Sequence, residues 1–200
     1  MPSAEGALVS DAEAAELFAP LRDRAGVALA VSGGPDSSAL LVLYARAARA
    51  DPRLPPATVL TVDHRLRPEA AEEARAVAAL AARHGLPHRT LVRQGERPAA
   101  NLQAEARRAR YALLFDAARD LGLDCVVTAH HAEDQAETFL ARLARGSGVV
   151  GLAAMARART IDGLVLFRPF LDLAKARLAA TLVDAGEGWI EDPSNRDSRF

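Results

Sequence analysis

Residues 27–38 read VALAVSGGPDSS, an apolar run that leads through a glycine-rich turn into a helical pattern. A short apolar run of this kind predicts a buried strand, and the turn would then lie at the edge of a sheet. Gly33 and Gly34 let the backbone approach an anion closely, and Pro35 suits the first turn of a helix, where its missing N–H is no loss. The helix start adds unpaired N–H groups and the positive end of the helix dipole. The stretch therefore predicts a strand–loop–helix unit that binds phosphate, with oxygen atoms of Asp36 and the serines beside it available to phosphate or metal.

The rest of the chain alternates apolar, β-leaning runs with helical stretches. The five predicted strands are Gly26–Val31, Ala57–Val62, His88–Val92, Asp124–Thr128 and Leu164–Arg168. The helical patterns cover Asp36–Ala50, Pro68–Arg83, Asn101–Leu121, a stretch from His131 to about Arg145, and Leu173–Asp184. Such alternation is typical of βαβ units, so we expect an α/β fold with a doubly wound, mostly parallel five-stranded sheet and helices on both faces. No repeat or low-complexity linker divides residues 1–200, so we expect a single domain that ends in an ordered loop.

Composition narrows the classes of function. The 200 residues are 50% hydrophobic and carry a net charge of −1, so the chain as a whole is not a basic nucleic-acid clamp. No apolar run approaches the roughly 20 residues that span a bilayer, and the acidic N-terminus lacks the apolar core of a signal peptide. We therefore expect a cytoplasmic protein without a membrane partner. Cys125 is the only cysteine, and its apolar neighbours predict a buried, structural thiol.

Polar residues follow four of the predicted strands. In open α/β sheets, ligands bind outside the carboxyl ends of the strands, near the point where the strand order reverses. This rule selects Ser32–Ser37, Asp63 with His64, Arg93 with Gln94, and His130 with His131. The strand that ends at Asp63 and His64 is placed to contact the adenine or ribose of a nucleotide, or Asp63 serves a metal instead; the sequence does not separate the two.

The segment TAHHAEDQAETFLARLARG, residues 128–146, predicts an amphipathic helix. At about 100° per residue, His130, Asp134, Glu137 and Arg145 fall within one stripe. The opposite side collects apolar residues that we expect to be buried: Ala136, Phe139, Leu140 and Leu143. Carboxylates beside a triphosphate would repel it unless a divalent cation intervened, so the stripe favours Mg²⁺. A solvated polar face or a transition-metal site would show the same pattern.

A second helical segment, NLQAEARRARYALLFDAARDLG at residues 101–122, carries several arginines. Arg107 and Arg110 flank its apolar stripe on one side, from which their guanidinium groups could reach phosphate or carboxylate in fork geometry. Asn101 begins the segment. The alternative is an ordinary helix surface with pairs such as Glu105 and Arg108.

Six strings stand in one order along residues 27–200: SGGPDS, VDHRLR, NLQAEARRARY, TAHHAEDQAETFLARLARGSGVVGL, LFRPFL and WIEDPSNRDSRF. In this the chain resembles the tRNA(Ile)-lysidine synthetases, a family of N-type ATP pyrophosphatases of the PP-loop superfamily. The glycine loop is shared by many such enzymes, whereas the long helical string and WIEDPSN are far more specific. Arg65 stands where that family usually has Gly, and Glu133 where it usually has Asp. The family continues into a C-terminal tRNA-binding portion, which we expect this chain to lack.

The resemblance implies an adenine nucleotide alpha hydrolase-like fold and a two-step ligation. ATP and Mg²⁺ bind at the loop, and the C2 carbonyl oxygen of the wobble cytidine of tRNA(Ile) with a CAU anticodon attacks the α-phosphate. Pyrophosphate leaves, and the amine of free L-lysine then displaces AMP. The resemblance leaves a homodimer open.

The same resemblance assigns roles to the candidate residues. ATP binding falls to Ser32, Gly33, Gly34, Pro35, Asp36, Ser37, Asp63 and His64, with Asp36 and Asp134 as Mg²⁺ ligands. Catalysis falls to Asp36, His130, Asp134, Glu137 and Arg145. Binding of lysine or RNA falls to Asn101, Arg107, Arg110 and His131. Two other functions use the same loop: tRNA thiolation, which in members with cysteine ligands needs more than one cysteine, and a non-catalytic adenine-nucleotide-binding module.

Overall fold

The computed structural model describes residues 7–63, 70–92, 102–146 and 153–190, without the side chains of residues 102–104 and 106. The predicted ligand-binding residues His64 and Asn101 lie outside these described residues. None of the helices in the described ranges is both long and apolar enough to cross a membrane.

A six-stranded sheet forms the centre of the fold. Its strands are β1 (Val27–Ala30), β2 (Ala57–Asp63), β3 (His88–Val92), β4 (Cys125–Val127), β5 (Ala158–Ile161) and β6 (Leu164–Phe167), in the spatial order β3-β2-β1-β4-β6-β5. Every neighbouring pair is parallel except β5 with β6. The predicted mostly parallel, doubly wound sheet is therefore confirmed.

The predicted number of five strands is wrong, because β5 was missed. This strand reads ARTI and is largely exposed, so it lacks the apolar run that marks a buried strand. It pairs with β6 through a two-residue turn in which Asp162 and Gly163 have φ angles of 48° and 83°. Two consecutive positive φ angles are the geometry of the tight turns that join antiparallel strands.

Helices cover both faces of the sheet, as expected. They are α1 (Asp11–Phe18, followed by a 3₁₀ turn at Ala19–Leu21), α2 (Pro35–Ala50), α3 (Ala70–Arg83), α4 (Leu102–Asp120), α5 (Ala132–Ala144) and α6 (Lys175–Asp184). One apolar core joins α1, α2, α3 and α6 to one face, and a second joins α4 to the other face. Successive β1 residues alternate between these cores, with Val27 and Leu29 in the first and Ala28 in the second.

The predicted burial of one side of α5 is wrong. Phe139, Leu140 and Leu143 are 41%, 60% and 51% exposed, and no residue of this helix is buried. The described contacts of α5 are polar: the Ala132 N–H donates to the Leu173 carbonyl at 3.0 Å, Gln135 exchanges hydrogen bonds with the Met155 backbone, and Arg142 donates to the Ala153 carbonyl. An apolar stripe in a sequence marks a face that favours burial, but it does not supply the element that would cover it.

The strand order reverses beside β1. The chain builds outward through β2 and β3 and then crosses back to place β4 on the other side of β1. The connections that leave β1 and β4 therefore diverge and open a crevice between the loop at Ser32–Gly34 and the segment at Thr128–His131.

Candidate functional site

The loop after β1 has a conformation that only glycine adopts easily at one position. Gly33 has a φ of +94°, and its carbonyl accepts a hydrogen bond of 2.9 Å from the Ile190 N–H. A Cβ atom at Gly33 would collide with the Ile190 side chain and come within 3.3 Å of Val77 Cγ2. The loop is thus packed against α3 and the segment after α6.

Serine hydroxyls fasten the loop to the first turn of α2. The Ser32 N–H donates to Ser37 Oγ at 3.1 Å, and Ser37 Oγ donates to the Gly34 carbonyl at 3.1 Å. Ser38 Oγ donates to the Gly33 carbonyl at 3.2 Å. A Cβ at Gly34 would meet only Ser32 Oγ, at 3.9 Å, so the space above this residue is open. An open space at a helix N-terminus, lined by backbone, suits a phosphate group.

Asp36 faces the crevice from the first turn of α2. Its Oδ2 atom lies 3.5 Å from His131 Nε2, and its Oδ1 atom is buried without a hydrogen-bond partner. A buried carboxylate oxygen without a partner carries a desolvation cost that a bound cation would remove.

His131 lies at the start of α5, among carboxylates. Asp134 Oδ2 accepts from the His131 N–H at 2.9 Å and lies 3.4 Å from Nε2, while Glu133 Oε2 lies 3.0 Å from Nδ1. Burial acts to lower the pKa of His131, but Asp36, Asp134 and Glu133 outweigh it and raise that pKa above its usual value. The imidazole therefore carries more positive charge near neutral pH than an isolated histidine.

The paired carboxylates fit Mg²⁺ held partly by a nucleotide. Asp36 and Asp134 approach the same His131 nitrogen from two helices, and the second Asp36 oxygen has no hydrogen-bond partner. Within the described ranges, no group of three or more His, Cys, Asp or Glu side chains forms a complete metal site. Mg²⁺ is commonly held by one or two carboxylates, with water and phosphate oxygens as its other ligands. The residues present therefore fit the ion.

Lys175, which the motif reasoning passed over, also reaches this site. Its Nζ atom lies 3.8 Å from Asp36 Oδ2, and its backbone N–H donates to both oxygens of Glu133 at 3.0 and 3.1 Å. This residue is the only lysine in an arginine-rich chain. A single lysine among many arginines could have marked Lys175 as a candidate in the sequence. Its contact with Asp36, however, depends on the packing of α6 beside α2.

The remaining candidates are spread along the crevice. Asp63 ends β2 at the same edge of the sheet as the loop. Glu137 is exposed on α5, one turn beyond Asp134. Arg145 lies at the opposite end of α5, about 20 Å along the helix axis from His131, and donates to the Ala141 carbonyl at 2.9 Å. The structure therefore does not bring Arg145 together with the loop.

His130 occupies a more positive part of the crevice. Its Nδ1 atom lies 2.9 Å from Thr128 Oγ1. Burial, above all, and then the charge of Arg168 lower the pKa of His130 to about 4; Asp134 opposes them, and Arg107 and Arg110 add to the lowering. His130 is therefore a neutral imidazole at neutral pH, and the predicted Arg107 and Arg110 lie near it.

The fold and the glycine loop define an α/β domain with a candidate site for nucleotide phosphates at the point where the strand order reverses. The chain belongs to the PP-loop domain family, whose model matches residues 8–200. It is 57% identical over 192 residues to a tRNA(Ile)-lysidine synthase of Rhodopseudomonas palustris, an alignment that covers 96% of this chain and 56% of that protein. A relative of the same name from Bradyrhizobium diazoefficiens is 56% identical, with 96% of this chain and 53% of that protein covered. The motif resemblance is thereby confirmed, and the chain spans about half the length of these curated relatives.

Solved structures support the fold. The U34-tRNA thiolase NcsA from Methanococcus maripaludis, solved with its [4Fe-4S] cluster, aligns with a TM-score of 0.76 at 14% identity, covering 91% of this chain and 66% of that one. A phosphoadenylyl-sulfate reductase from Candida auris, in complex with phosphate, aligns with a TM-score of 0.56 at 11% identity, covering 88% and 81%. At these identities the likeness concerns the architecture alone.

Proposed function

We propose that this domain carries out the ATP-dependent ligation of lysine to C2 of the wobble cytidine of tRNA(Ile) with a CAU anticodon. The observation that carries the proposal is the open space above Gly34 at the start of α2, where the next residues include Asp36 with its unpartnered oxygen. The relatives that share more than half of this sequence bear the name of that activity. Its tRNA substrate makes the cytoplasm the expected location.

ATP binding is assigned to the loop and its neighbours. Ser32, Gly33, Gly34, Pro35 and Ser37 would hold the β- and γ-phosphates at the start of α2, so that attack falls on the α-phosphate. Asp63 and His64 would contact the adenine or ribose. Asp36 and Asp134 would hold Mg²⁺, which neutralises phosphate charge when bound. Lys175 joins this set, because its ammonium approaches Asp36.

The second step requires lysine as a free amine, since an ammonium group has no lone pair for attack. Glu137, exposed beside the crevice, would attract the ammonium of the incoming lysine. His130 is neutral at neutral pH, so it would not repel the lysine ammonium, although its pKa of about 4 makes it a weak proton acceptor. His131 and Asn101 belong to the substrate-binding set, and Arg110 would stabilise charge on the α-phosphate. Arg145 lies far from the glycine loop, so we assign it to contacts with RNA.

The test is ATP–pyrophosphate exchange by this chain, with and without tRNA bearing a CAU anticodon, followed by incorporation of labelled lysine. Exchange that requires this tRNA, release of AMP, and lysine incorporation are the expected results. Asp36→Asn should abolish exchange, whereas Asp116→Asn, which alters only an exposed pair with Arg119, should not. Release of ADP and orthophosphate would contradict the proposal.

The two other functions are less well supported. Cys125 is the only cysteine, is fully buried, and has a pKa raised to about 12, chiefly by burial, so it is a poor ligand for a cluster or carrier of sulfur. A nucleotide-binding module has no need for Asp134 or Glu137. Replacing either residue by Ala should remove turnover from an enzyme but leave such a module unaffected.

Light scattering of the purified chain would test for a homodimer.

A further inference from the structure

Lys175 lies at a position where a positive charge opposes the electrostatics of its own helix. It is the first residue of α6, and the first turn of this helix contains no acidic residue. Ala174, which precedes it, supplies no side-chain cap. The positive end of a helix dipole disfavours a nearby ammonium and favours carboxylates instead. A residue that breaks a local rule in this way indicates a functional constraint at its position.

A side chain from another helix caps α6 in place of its own residues. Both carboxylate oxygens of Glu133, on α5, accept from the Lys175 backbone N–H, at 3.0 and 3.1 Å. In the opposite direction, the Ala132 N–H at the start of α5 donates to the Leu173 carbonyl at 3.0 Å, just before α6. The Lys175 side chain is 47% exposed and carries its ammonium on a flexible stem. The main chain of Lys175 is therefore fixed, while its charged group is free to move.

The Lys175 ammonium neutralises Asp36 without any bound ion. Asp36 Oδ2 lies 3.8 Å from Lys175 Nζ and 3.5 Å from His131 Nε2. The first distance is that of an ion pair rather than of a hydrogen bond, so the carboxylate holds the ammonium only weakly. The described ranges contain no complete metal site of three or more ligating side chains. A free divalent cation would therefore find Asp36 already paired, and the ammonium would repel it.

A phosphate group at the glycine loop would change this balance. The open space above Gly34 lies at the start of α2, and Asp36 belongs to the first turn of the same helix. A nucleotide triphosphate there would carry more negative charge than one carboxylate, so it would attract the Lys175 ammonium more strongly. Asp36 would then lose this counter-ion and become available to a divalent cation.

We propose that Lys175 is a mobile counter-ion, which holds Asp36 in the nucleotide-free chain and transfers to phosphate when ATP binds. The cation site at Asp36 thus becomes available only together with the nucleotide. The proposal rests on the proposed function for its two ligands, ATP and Mg²⁺, and adds the order in which they bind. It also gives a physical reason for a lysine in an arginine-rich chain: an arginine can hold a carboxylate in fork geometry, whereas an ammonium binds it as a point charge and leaves it more easily.

The test measures binding rather than turnover, with Mn²⁺ as a paramagnetic probe of the cation site. In the nucleotide-free chain, Lys175→Met should bind Mn²⁺ about three- to tenfold more tightly than the parent, because a competing charge is removed. In EDTA, the same variant should bind ATP about three- to tenfold more weakly, because it has no ammonium to offer phosphate. The substitution keeps the backbone bonds to Glu133, so the start of α6 stays in place. A purely structural role would weaken both ligands, whereas the counter-ion role shifts the two affinities in opposite directions.

Three further variants serve as controls. Lys175→Arg keeps the positive charge and should retain the weak Mn²⁺ binding of the parent. Arg46→Met removes one cation from an ion pair with Asp11 at the other end of α2, so it controls for net charge and should change neither affinity. Adding Asp36→Asn to Lys175→Met should cancel the gain in Mn²⁺ binding, because that gain depends on the Asp36 carboxylate.

The outcomes separate this proposal from the proposed function. If Lys175→Met binds Mn²⁺ no more tightly than the parent, or loses Mn²⁺ and ATP binding in parallel, the counter-ion role is wrong. Unchanged Mn²⁺ binding in a variant of a chain that performs ATP–pyrophosphate exchange would overturn the counter-ion role alone. Opposite shifts in a chain that performs no exchange would leave the counter-ion role standing and contradict the proposed function.

Discussion

Gly33 and Gly34 are adjacent glycines with different physical reasons for being glycine. Gly33 has a left-handed φ of +94° and touches Ile190, so its lack of a side chain serves the fold. Gly34 has an ordinary φ of −68° and open space where a Cβ would lie, so its lack of a side chain serves a ligand.

Substitutions at these two residues should therefore affect different properties, the stability of the fold at Gly33 and the binding of ATP at Gly34. Gly33→Ala should lower the free energy of unfolding by about 1–3 kcal/mol, because the strained φ and the clash with Ile190 add together. Gly34→Ala should change it by less than about 0.5 kcal/mol yet weaken ATP binding, since the methyl group occupies the space for phosphate. Urea unfolding and ATP titration of both variants provide the measurements. Unchanged ATP affinity in Gly34→Ala would show that the nucleotide does not lie there.

Asp51 shows how a single carboxylate can make the stability of the fold depend on pH. It ends α2, lies 2.7 Å from Arg22 Nη2 and 2.8 Å from Arg53 Nε, and is 8% exposed. The hydrogen bond from Arg53 is the main reason that its pKa lies far below the usual value; burial opposes this shift, and Arg22 adds to it.

Because the folded pKa is depressed, the stabilisation from Asp51 is complete above the unfolded pKa of about 3.9 and is lost as pH falls below that value. We expect Asp51→Asn to be less stable than the parent chain at pH 7, and we expect the difference to shrink steadily from about pH 4 downward. Urea unfolding at a series of pH values measures it. A difference that stays constant down to pH 2 would contradict the assignment.

At the scale of elements, the sequence predicted the strands and helices that a hydrophobic pattern marks. The five predicted strands and the helices between them came from apolar runs and glycine or proline breaks, and all of these elements are present. Helix α1 was missed because its pattern is short, although Phe18 is fully buried. Strand β5 was missed because it is exposed, and the exposed side of α5 was wrongly expected to be buried.

The residues of the candidate site fall into the same two groups: those that a sequence pattern predicts and those that depend on packing. The loop residues and Asp134 follow from motifs that are continuous in sequence. The contact between Lys175 and Asp36 depends on how separate elements pack, so no continuous motif predicts it. Arg168 follows a strand, where a charged residue resembles solvated surface in the sequence, and only the structure shows that it is buried.

The exposure of α5 leads to a direct comparison with a buried helix. Leu140→Ser should change the free energy of unfolding by less than about 1 kcal/mol, because Leu140 is 60% exposed. Leu114→Ala on α4 should cost about 2–4 kcal/mol, because Leu114 is 2% exposed within the second core. Chemical denaturation of both variants decides the matter. A large loss for Leu140→Ser would mean that this helix face is covered in solution.

At the scale of the whole molecule, the segment after α6 braces the glycine loop against α3. Glu187 pairs with Arg83 at 2.5 Å and with His84 at 2.9 Å, and three residues later the Ile190 N–H donates to the Gly33 carbonyl. The Arg83 guanidinium is the first cause that lowers the pKa of Glu187 below its usual value, and His84 adds to it. The ion pair therefore fixes one end of a short strap whose other end supports the phosphate site.

Glu187→Gln should loosen this strap and weaken ATP binding without any change in the loop itself. We expect a three- to tenfold loss of affinity, the range for losing one or two charged hydrogen bonds at partial exposure. Trp189, the only tryptophan and 36% exposed, lies within the strap and reports on it, so its fluorescence should respond to ATP in the parent chain and less in the variant. Glu105→Gln, which breaks an exposed pair on α4, is the control and should match the parent. If Glu187→Gln shifts the Trp189 emission but leaves ATP affinity intact, the strap moves independently of the loop and the bracing role is wrong.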